Sequence, residues 1–439
     1  MLYPPPLTVL ARALLHGAQD LDSLVSRVQD AVGKRGLPAI VKRYREAFVH
    51  KPHAREREVI DFLRRDVGFR RLRWNAEGKK FLTGNSTIPA QMRPSSTASS
   101  WLIPPITTVS ELCTWLRLPL AELGPFADLK GMNGQARHPS LQHYRNHLVA
   151  KRSGGLRLIE APKQRLKLLQ REILADILNA IPTHPAAHGF VRGRSIQSFA
   201  APHIGQRAVL RMDIENFFPS ISFARVAAFF RTAGYPERVA DFLAGLCTHA
   251  VPNKFWRQLA PQPDTEARTE LKRIYSPRHL PQGAPASPAL ANLCAYRLDC
   301  RLHALAQAGG AVYSRYADDL AFSGGAAFDR AGEAFAGRVA AILLEEGFHA
   351  AYRKTRLMRQ SVRQQLTGLV VNRHLNLPRE DYDHLKAILT NCVRSGPQNQ
   401  NRDALPDFRA HLLGRVAFVE SIHPARGAKL RSLFNRIVW

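Results

Sequence analysis

Two adjacent acids in an otherwise apolar stretch constrain the fold of this chain more than any other feature. Residues 313–324 read Tyr-Ser-Arg-Tyr-Ala-Asp-Asp-Leu-Ala-Phe-Ser-Gly. The flanking residues favour β-strands, so the sequence predicts two buried antiparallel strands with Asp318 and Asp319 in their tight connection. Buried carboxylates need a compensating cation or hydrogen bonds, and divalent metals prefer oxygen ligands. The alternative is a solvated turn, in which Asp is common.

A third acid ends another apolar strand. Residues 209–214 read Val-Leu-Arg-Met-Asp-Ile, and a turn at 216–221 leads to Ser222, a predicted helix N-cap. Asp213, Asp318 and Asp319 on neighbouring strands would suit two divalent ions roughly 3.5–4 Å apart. Two such ions can activate a hydroxyl for attack and stabilise a leaving pyrophosphate. Phosphoryl transfer needs mainly positioning and charge neutralisation, which this set would supply.

The charge balance indicates a polyanionic partner. The 439 residues include 63 Lys or Arg and 35 Asp or Glu, a formal net charge of +28. Nucleic acid is the first candidate, and the alternative is an Arg-rich chain from a GC-rich genome. Five cysteines without a C-x-x-C spacing support neither a disulfide framework nor a zinc site, which fits a reducing cytoplasm. We find no signal peptide, transmembrane run or P-loop.

The first 105 residues predict an appended module. Residues 1–83 follow helical periodicity, with 17 Lys or Arg against 9 Asp or Glu, and residues 84–105 form a linker rich in Ser, Thr and Pro. The basic helices could be an RNA-binding face or an ordinary solvated surface. We expect that the chain without residues 1–95 still folds and extends an ordinary annealed primer.

Further along, several segments have local signals. A basic hairpin turn at 151–157 precedes a strand and a basic helix. These basic residues would suit the binding of a triphosphate, or they form an ordinary solvated surface. His184 and His188 flank Pro185, so a turn is favoured over a metal site. Residues 252–278 predict a loop-rich insertion, 366–372 a strand, and 381–439 basic helices.

Four segments, in their order along the chain, resemble motifs of the reverse transcriptases, and within that family those of the retron type. Residues 316–319 (Tyr-Ala-Asp-Asp) resemble the palm hairpin, and 213–221 (Asp-Ile-Glu-Asn-Phe-Phe-Pro-Ser-Ile) the first metal-binding motif. Residues 280–292 (LPQGAPASPALAN) resemble the nucleotide-contacting motif, and 188–196 (HGFVRGRSI) the template-contacting motif. Residues 366–368 (Leu-Thr-Gly) stand where retron enzymes usually carry Val-Thr-Gly. The resemblance covers about residues 106–439.

The resemblance implies an α+β right-hand polymerase with an appended N-terminal helical domain. The implied domains are the N-terminal helices (1–83), the linker (84–105), the fingers (106–204), the palm (205–372) with a fingers insertion near 235–280, and a helical thumb (373–439).

Metal and nucleotide roles follow from the same resemblance. Asp213, Asp318 and Asp319 would hold two Mg²⁺ ions, or Mn²⁺ in their place, with the Ile214 carbonyl as a further ligand. Lys354 would be the catalytic proton donor to pyrophosphate.

The resemblance also assigns the residues around the substrate. Phe218 would be the steric gate against a ribose 2′-hydroxyl, Gln282 would contact the incoming nucleotide, and Arg157 and Lys167 would grip its triphosphate. Template and primer contacts would come from Arg192, Arg194, Gly283 and Gly368, with Gly368 in the strand that supports the primer end.

The implied activity is RNA-directed DNA synthesis in the cytoplasm, without a membrane. A retron enzyme would copy its own structured noncoding RNA, prime from an internal RNA 2′-hydroxyl and serve phage defence with an effector protein. Alternatives are another bacterial defence or group II-like reverse transcriptase that makes no branched DNA, or a non-catalytic RNA-binding protein on the same fold.

Overall fold

The structure is a computed structural model that describes residues 5–32, 38–51, 54–70, 90–133, 142–150, 155–259 and 265–439. It divides the chain into two compact units. The first contains residues 1–182 and 221–290, and the second residues 183–220 and 291–439. No helix in the described ranges is long and apolar enough to cross a membrane.

The first unit is mainly helical, with one β-hairpin. Its helices and strands are α1 (Pro5–Leu15), α2 (Leu21–Val32), α3 (Pro38–Phe48), α4 (Glu56–Arg65), α5 (Val67–Arg70), α6 (Val109–Trp115), α7 (Leu120–Ala127), β1 (Tyr144–Ala150), β2 (Leu156–Pro162), α8 (Gln164–Glu172), α10 (Phe223–Thr232), α11 (Glu237–Cys247), α12 (Asn253–Gln258) and α13 (Thr265–Tyr275). A π-helical turn (Ile173–Ile177) and a 3₁₀ turn (Leu178–Ala180) follow α8.

The second unit is built on an antiparallel sheet followed by helices. Its elements are α9 (Ile196–Ala200), β3 (Ala208–Glu215), α15 (Tyr296–Ala308), β4 (Ala311–Tyr316), β5 (Asp319–Gly324), α16 (Ala326–Glu345), β6 (His349–Ala350), β7 (Arg356–Arg359), β8 (Gln365–Leu366), β9 (Leu369–Val370), α17 (Arg379–Ser395), α18 (Phe408–Ile422) and α19 (Pro424–Asn435). Helix α14 (Ser287–Cys294) carries the chain from the first unit into the second. Three 3₁₀ turns complete this unit: Ala201–His203, Tyr352–Lys354 and Gln398–Gln400.

The five-stranded sheet has the order β4-β5-β3-β6, with β7 paired to β3. Every pairing in it is antiparallel. Its buried strands and the helices confirm the predicted α+β fold. The assignments to fingers, palm and thumb remain predictions, as do the domain boundaries.

The N-terminal helices form a hydrophobic core of their own, made of Leu10, Leu14, Leu24, Val41, Leu63 and neighbouring apolar residues. The helical prediction therefore agrees with α1 to α5, while residues 71–89 lie outside the described ranges. Residues 90–106 contain no regular helix or strand, but Ala98 and Ile106 are buried. The main-chain nitrogens of Arg93 and Ser95 donate to the carbonyls of Gly234 and Thr232. The described part of the predicted linker is thus packed along the first unit.

Two predictions of local structure were wrong. The loop-rich insertion at 252–278 contains α12 and α13, because Trp256 and Tyr275 are buried with Leu158 and stabilise both helices through tertiary packing. The strand predicted at 366–372 is a short hairpin: Thr367 (φ 44°) and Gly368 (φ 87°) both adopt left-handed conformations and form the turn between β8 and β9. Gly368 therefore lies in a turn and not in a strand.

Candidate active site

The three predicted acids meet at one end of the sheet in the second unit. Asp213 on β3 is the register partner of Asp319, the first residue of β5. Asp318 lies in the two-residue turn between β4 and β5, and its carbonyl accepts a hydrogen bond from the Ile214 nitrogen at 2.9 Å. The pairing of the strands therefore brings together Asp213, Ile214, Asp318 and Asp319, as the sequence predicts.

Two basic side chains hold two of these acids. Lys354 Nζ donates to both carboxylate oxygens of Asp213, each at 2.9 Å. Arg211 donates from Nε (3.0 Å) and Nη2 (2.7 Å) to Oδ1 of Asp319. Lys354 is thus placed with the acids. The sequence reasoning missed Arg211, although it lies two residues before Asp213 and strand alternation puts both on one face.

The pKa of Asp318 is strongly perturbed. Burial first, then the negative charge of Asp213, and to a smaller extent that of Asp319, together raise it to about 6. Lys354 acts in the opposite direction but does not reverse the shift. A cation bound beside this carboxyl group would offset the cost of its burial and of the nearby negative charge.

The residues fit a hard divalent cation by their chemistry. In the described ranges no three Asp, Glu, His or Cys side chains form a ready-made metal cluster. Asp213 and Asp319 are each paired with a basic residue. The donors that the strands bring together are all oxygens, which Mg²⁺ and Mn²⁺ prefer. The repulsion that raises the pKa of Asp318 is also the repulsion that a bound cation would relieve.

A fully buried arginine supports the turn that carries Asp318. Arg315 pairs with Asp299 through Nε (2.7 Å) and Nη2 (2.6 Å), and both side chains are 0% exposed. Its Nη1 donates to the Ala317 carbonyl at 3.1 Å and to the Asn292 side chain at 3.0 Å. Ala317 has φ 56°, a conformation that non-glycine residues adopt only under constraint. The sequence reasoning missed Arg315, Asp299 and Asn292.

The predicted template motif borders the same turn. The nitrogen of Arg315 donates to the Ala186 carbonyl, and the nitrogen of His188 to the Arg315 carbonyl, each at 2.7 Å. A Cβ on Gly189 would lie 2.5 Å from the Ala317 nitrogen, so only glycine allows this approach. Gly189 therefore has a structural role beside this turn.

The two arginines of this motif have different surroundings. Arg194 donates from Nη1 to the Ala187 carbonyl at 2.7 Å and also to the Pro185 carbonyl, so its guanidinium braces the loop. Arg192 is exposed. A template contact remains a prediction for both residues, and the geometry leaves Arg192 better able to make one.

Consecutive phenylalanines follow β3 and have different environments. Phe217 is buried, packs on Phe348 with ring centroids 5.8 Å apart, and lies under the Arg315 guanidinium. Phe218 is half-buried, and its ring centroid is 6.1 Å from that of Phe190, which is exposed. Phe218 therefore has the accessible ring that a contact with substrate requires, whereas Phe217 belongs to the core.

The remaining predicted residues lie in the first unit. Arg157 is exposed on β2, and Lys167 is half-buried on α8. The Gln282 carbonyl accepts from the Glu160 nitrogen at 2.8 Å, which ties the following turn to β2. Gly283 has φ 125°, and a Cβ there would lie 3.2 Å from the Glu160 carbonyl oxygen. The glycine is required by this approach, so the structure gives it a backbone role beside the predicted contact.

Comparisons with known proteins agree with the geometry. The family described as "Reverse transcriptase (RNA-dependent DNA polymerase)" matches residues 149–371. The retron Mx65 reverse transcriptase of Myxococcus xanthus is 43% identical over 297 residues, 66% of this chain and 64% of that protein. The retron Mx162 enzyme of the same organism is 35% identical over 65% of this chain and 59% of its own length. The retron Ec86 reverse transcriptase of Escherichia coli is 31% identical over 56% of this chain and 68% of its length. The chain thus spans slightly less than two thirds of the two Myxococcus relatives.

Proposed function

Because the chain belongs to the reverse transcriptase family, and within it to the retron type, we propose that it is an RNA-directed DNA polymerase. It extends a primer on a structured noncoding RNA by nucleotidyl transfer. The observation that carries this proposal is the convergence of Asp213, Asp318 and Asp319 at one end of an antiparallel sheet, inside the segment that matches the family.

The three carboxylates and the Ile214 carbonyl are the groups that would hold two Mg²⁺ ions. When bound, the ions lower the pKa of the attacking hydroxyl and neutralise charge on the leaving pyrophosphate. Lys354 and Arg211 hydrogen-bond two of the carboxylates in the structure and would orient them before substrate binds.

Lys354 has a second role in this proposal. Its side chain is 57% exposed while the ammonium group contacts Asp213, so Lys354 would be able to reach a substrate as well as the acid. A proton from Nζ would be given to the leaving pyrophosphate as the new bond forms, which is general acid catalysis by a positioned side chain.

The half-buried ring of Phe218 would fill the space of a ribose 2′-hydroxyl and thereby select deoxynucleotides. Arg157 and Lys167 would bind the triphosphate, since guanidinium and ammonium groups pair strongly with phosphate oxygens. Gln282 would contact the incoming nucleotide. Template and primer would be contacted by Arg192, Arg194, Gly283 and Gly368.

The retron type supplies the remaining parts of the proposal. The template is the enzyme's own noncoding RNA in the cytoplasm, synthesis starts from an internal RNA 2′-hydroxyl, and the product acts in phage defence with an effector protein. The C-terminal helices α17 to α19, which have their own apolar core, would act as the thumb along the product duplex. Such a duplex is recognised by shape and backbone.

Primer extension with the purified chain tests the proposal. The reaction contains an RNA template, an annealed DNA primer, deoxynucleotides and MgCl₂. DNA synthesis that disappears with EDTA and returns with Mg²⁺ is the expected result. RNA binding without any extension would instead favour the non-catalytic alternative.

The retron type is tested by the nucleic acid that copurifies with the protein. We expect one noncoding RNA joined to DNA through a 2′,5′ linkage, which a debranching enzyme cleaves. Linear DNA without that linkage would favour a defence reverse transcriptase that makes no branched DNA.

A further inference from the structure

A basic pocket in the first unit has no role in the mechanism above. Its volume is about 630 Å³, within the range of small-molecule sites. Its walls are the loop after α7, the strand β1 and the segment from Thr248 to Gln258. None of the residues predicted for catalysis, nucleotide binding or template contact lines it.

The rim of this pocket carries uncompensated positive charge. Lys130, Arg145 and Lys254 are exposed, and none of their side chains has a hydrogen bond or ion pair to another described residue. The acid among the lining residues is Asp128, whose carboxylate accepts from the main-chain nitrogens of Met132 (2.6 Å) and Asn133 (3.1 Å). The cations at the rim are therefore available to an anion, and phosphate is the anion that Lys and Arg bind most often in nucleic-acid partners.

The interior offers flat rings and polar atoms. Tyr144 and His249 are stacked with centroids 4.1 Å apart, and His143 lies 4.5 Å from the ring of Phe126. His143 Nε2 and Asn146 Oδ1 are buried and have no hydrogen-bond partner, whereas His249 Nε2 lies 4.0 Å from Oε1 of the buried Glu160. Burial holds the pKa of both histidines below the ordinary value, so both rings are neutral. Aromatic faces beside unsatisfied polar groups suit a nucleobase, which stacks and hydrogen-bonds.

We propose that this pocket binds a nucleotide, with its phosphate at the rim formed by Lys130, Arg145 and Lys254 and its base among the rings of β1 and His249. A groove for duplex backbone would need cations along an open surface, whereas these cations surround a concave site with aromatic walls. The ligand could be a free nucleotide or an unpaired nucleotide within an RNA strand. Both have the same chemistry, and the experiment below distinguishes them.

The test is equilibrium dialysis of the full-length chain with two labelled probes, AMP and 5′-phosphorylated hexaadenylate. EDTA is present so that metal-dependent binding at the acids does not contribute. In the first variant, Arg145→Glu and Lys254→Glu reverse two rim charges. The matched control, Arg257→Glu with Lys272→Glu, reverses two exposed charges of the same unit that do not line the pocket.

We expect the rim variant to raise Kd by at least about tenfold and to lower the slope of log K against log salt by about 2, since two phosphate-facing cations are lost. The control should retain the wild-type Kd to within about twofold. Loss of affinity for both probes would identify a site for free nucleotides. Loss for hexaadenylate, with no AMP binding even by the wild type, would identify a site for nucleotides within a strand.

An uncharged variant tests the base subsite separately. Ala250→Trp would fill the pocket without altering charge, and Ala121→Trp, on the exposed face of α7, is its control. Only the first should weaken binding, and ribose 5-phosphate should compete less well than AMP. Thermal melting verifies that each variant is folded. Unchanged affinity in both pocket variants would overturn the proposal, and so would equal competition by ribose 5-phosphate if AMP binds to the wild type.

Discussion

Arg315 and Asp299 form an ion pair that is completely buried, with two hydrogen bonds of 2.6 and 2.7 Å between them. The same guanidinium donates to the carbonyl of Ala317, which directly precedes Asp318. The pair therefore connects α15 to the turn that carries the predicted metal ligands. A buried ion pair is costly to form. Removing one of its two charged side chains is more costly still, because the other charge remains buried and uncompensated.

Replacing Arg315 should accordingly destabilise the protein strongly. We expect Arg315→Met to lower the free energy of unfolding by about 3–5 kcal/mol, because Asp299 is left buried and alone. Chemical denaturation measures the change. Arg297→Met removes a cation that is 76% exposed, and the buried carboxylate of Glu346 keeps Arg301 as a partner at 3.0 Å, so the cost should stay below about 1 kcal/mol. In an Asp299→Leu background the Arg315→Met change should cost clearly less. Equal costs in both backgrounds would mean that the two residues are not energetically coupled.

Loss of a single predicted metal ligand should stop DNA synthesis. We expect Asp318→Asn and Asp319→Asn each to lower primer extension by at least about 100-fold while RNA binding is retained, because charge at the reacting phosphate is lost. Asp329→Asn is the matched control: Asp329 pairs with Arg207 and Arg359 and belongs to no predicted site. Extension at a near wild-type rate by either active-site variant would disprove the assignment.

Phe218 and Phe217 allow a matched test of sugar selection. Phe218→Ala should raise the relative kcat/KM for ribonucleotides, because the accessible ring that would clash with a 2′-hydroxyl is removed. Phe217→Ala should mainly destabilise the fold by about 3–5 kcal/mol, since its ring is buried. The readout is the ratio of kcat/KM for dNTP and rNTP in single-nucleotide extension. An unchanged ratio in Phe218→Ala would exclude it as the gate.

The sequence was sufficient to predict the acids and their strands, since the apolar, β-favouring composition of the strands and their short connection are local signals. It did not reveal Arg211, Arg315 or Asp299, because the partners of Arg315 and Arg211 are 16 and 108 residues away. The polar composition of residues 252–278 also led to the wrong prediction of a loop, because it does not indicate that Trp256 and Tyr275 are buried. The turn at Thr367 and Gly368 was not predicted, because the surrounding apolar run indicates a strand and gives no sign that these two residues are left-handed.

His203 should make stability depend on pH. It is fully buried, and its Nε2 and Nδ1 lie 2.6 Å from the hydroxyls of Ser314 and Ser323. Ser314 donates its proton to the Phe199 carbonyl, so Nε2 carries the imidazole proton and Nδ1 accepts from Ser323. Burial, and secondarily the charge of His188, lowers the pKa of His203 from 6.5 to about 3. The neutral ring is thus the form that the fold satisfies.

The sign of the effect follows from proton uptake. Below the ordinary pKa of histidine the unfolded chain binds a proton that the folded chain excludes, so stability falls as pH falls from about 6.5 towards 3. His203 alone should contribute a slope of roughly 1 kcal/mol per pH unit. Urea unfolding at pH 7.5 and 5.0 should show a smaller loss of stability for His203→Gln than for the wild type. Identical losses in the two proteins would contradict this assignment.

The N-terminal helices, predicted from the sequence to be a separable module, make specific contacts with the rest of the first unit. Arg55 Nε donates to Glu237 at 2.9 Å, and the nitrogen of Glu56 to the same carboxylate at 2.7 Å. Gly234 adopts φ 109°, and a Cβ there would lie 2.7 Å from the nitrogen of Pro94. Segment 93–95 is therefore packed directly against the turn after α10.

We expect deletion of residues 1–95 to lower the melting temperature and generic primer extension together, because it leaves Glu237 without these partners and exposes the surface that segment 93–95 covers. Gly234→Ala sharpens the test. In the full-length chain the added Cβ is strained by the positive φ and also meets Pro94, whereas in the truncated chain only the strain remains. The substitution should therefore lower the melting temperature more in the full-length protein than in the truncated one. The truncated protein could instead melt and extend primers like the wild type, with Gly234→Ala lowering the melting temperature equally in both proteins. That result would support an independent N-terminal module.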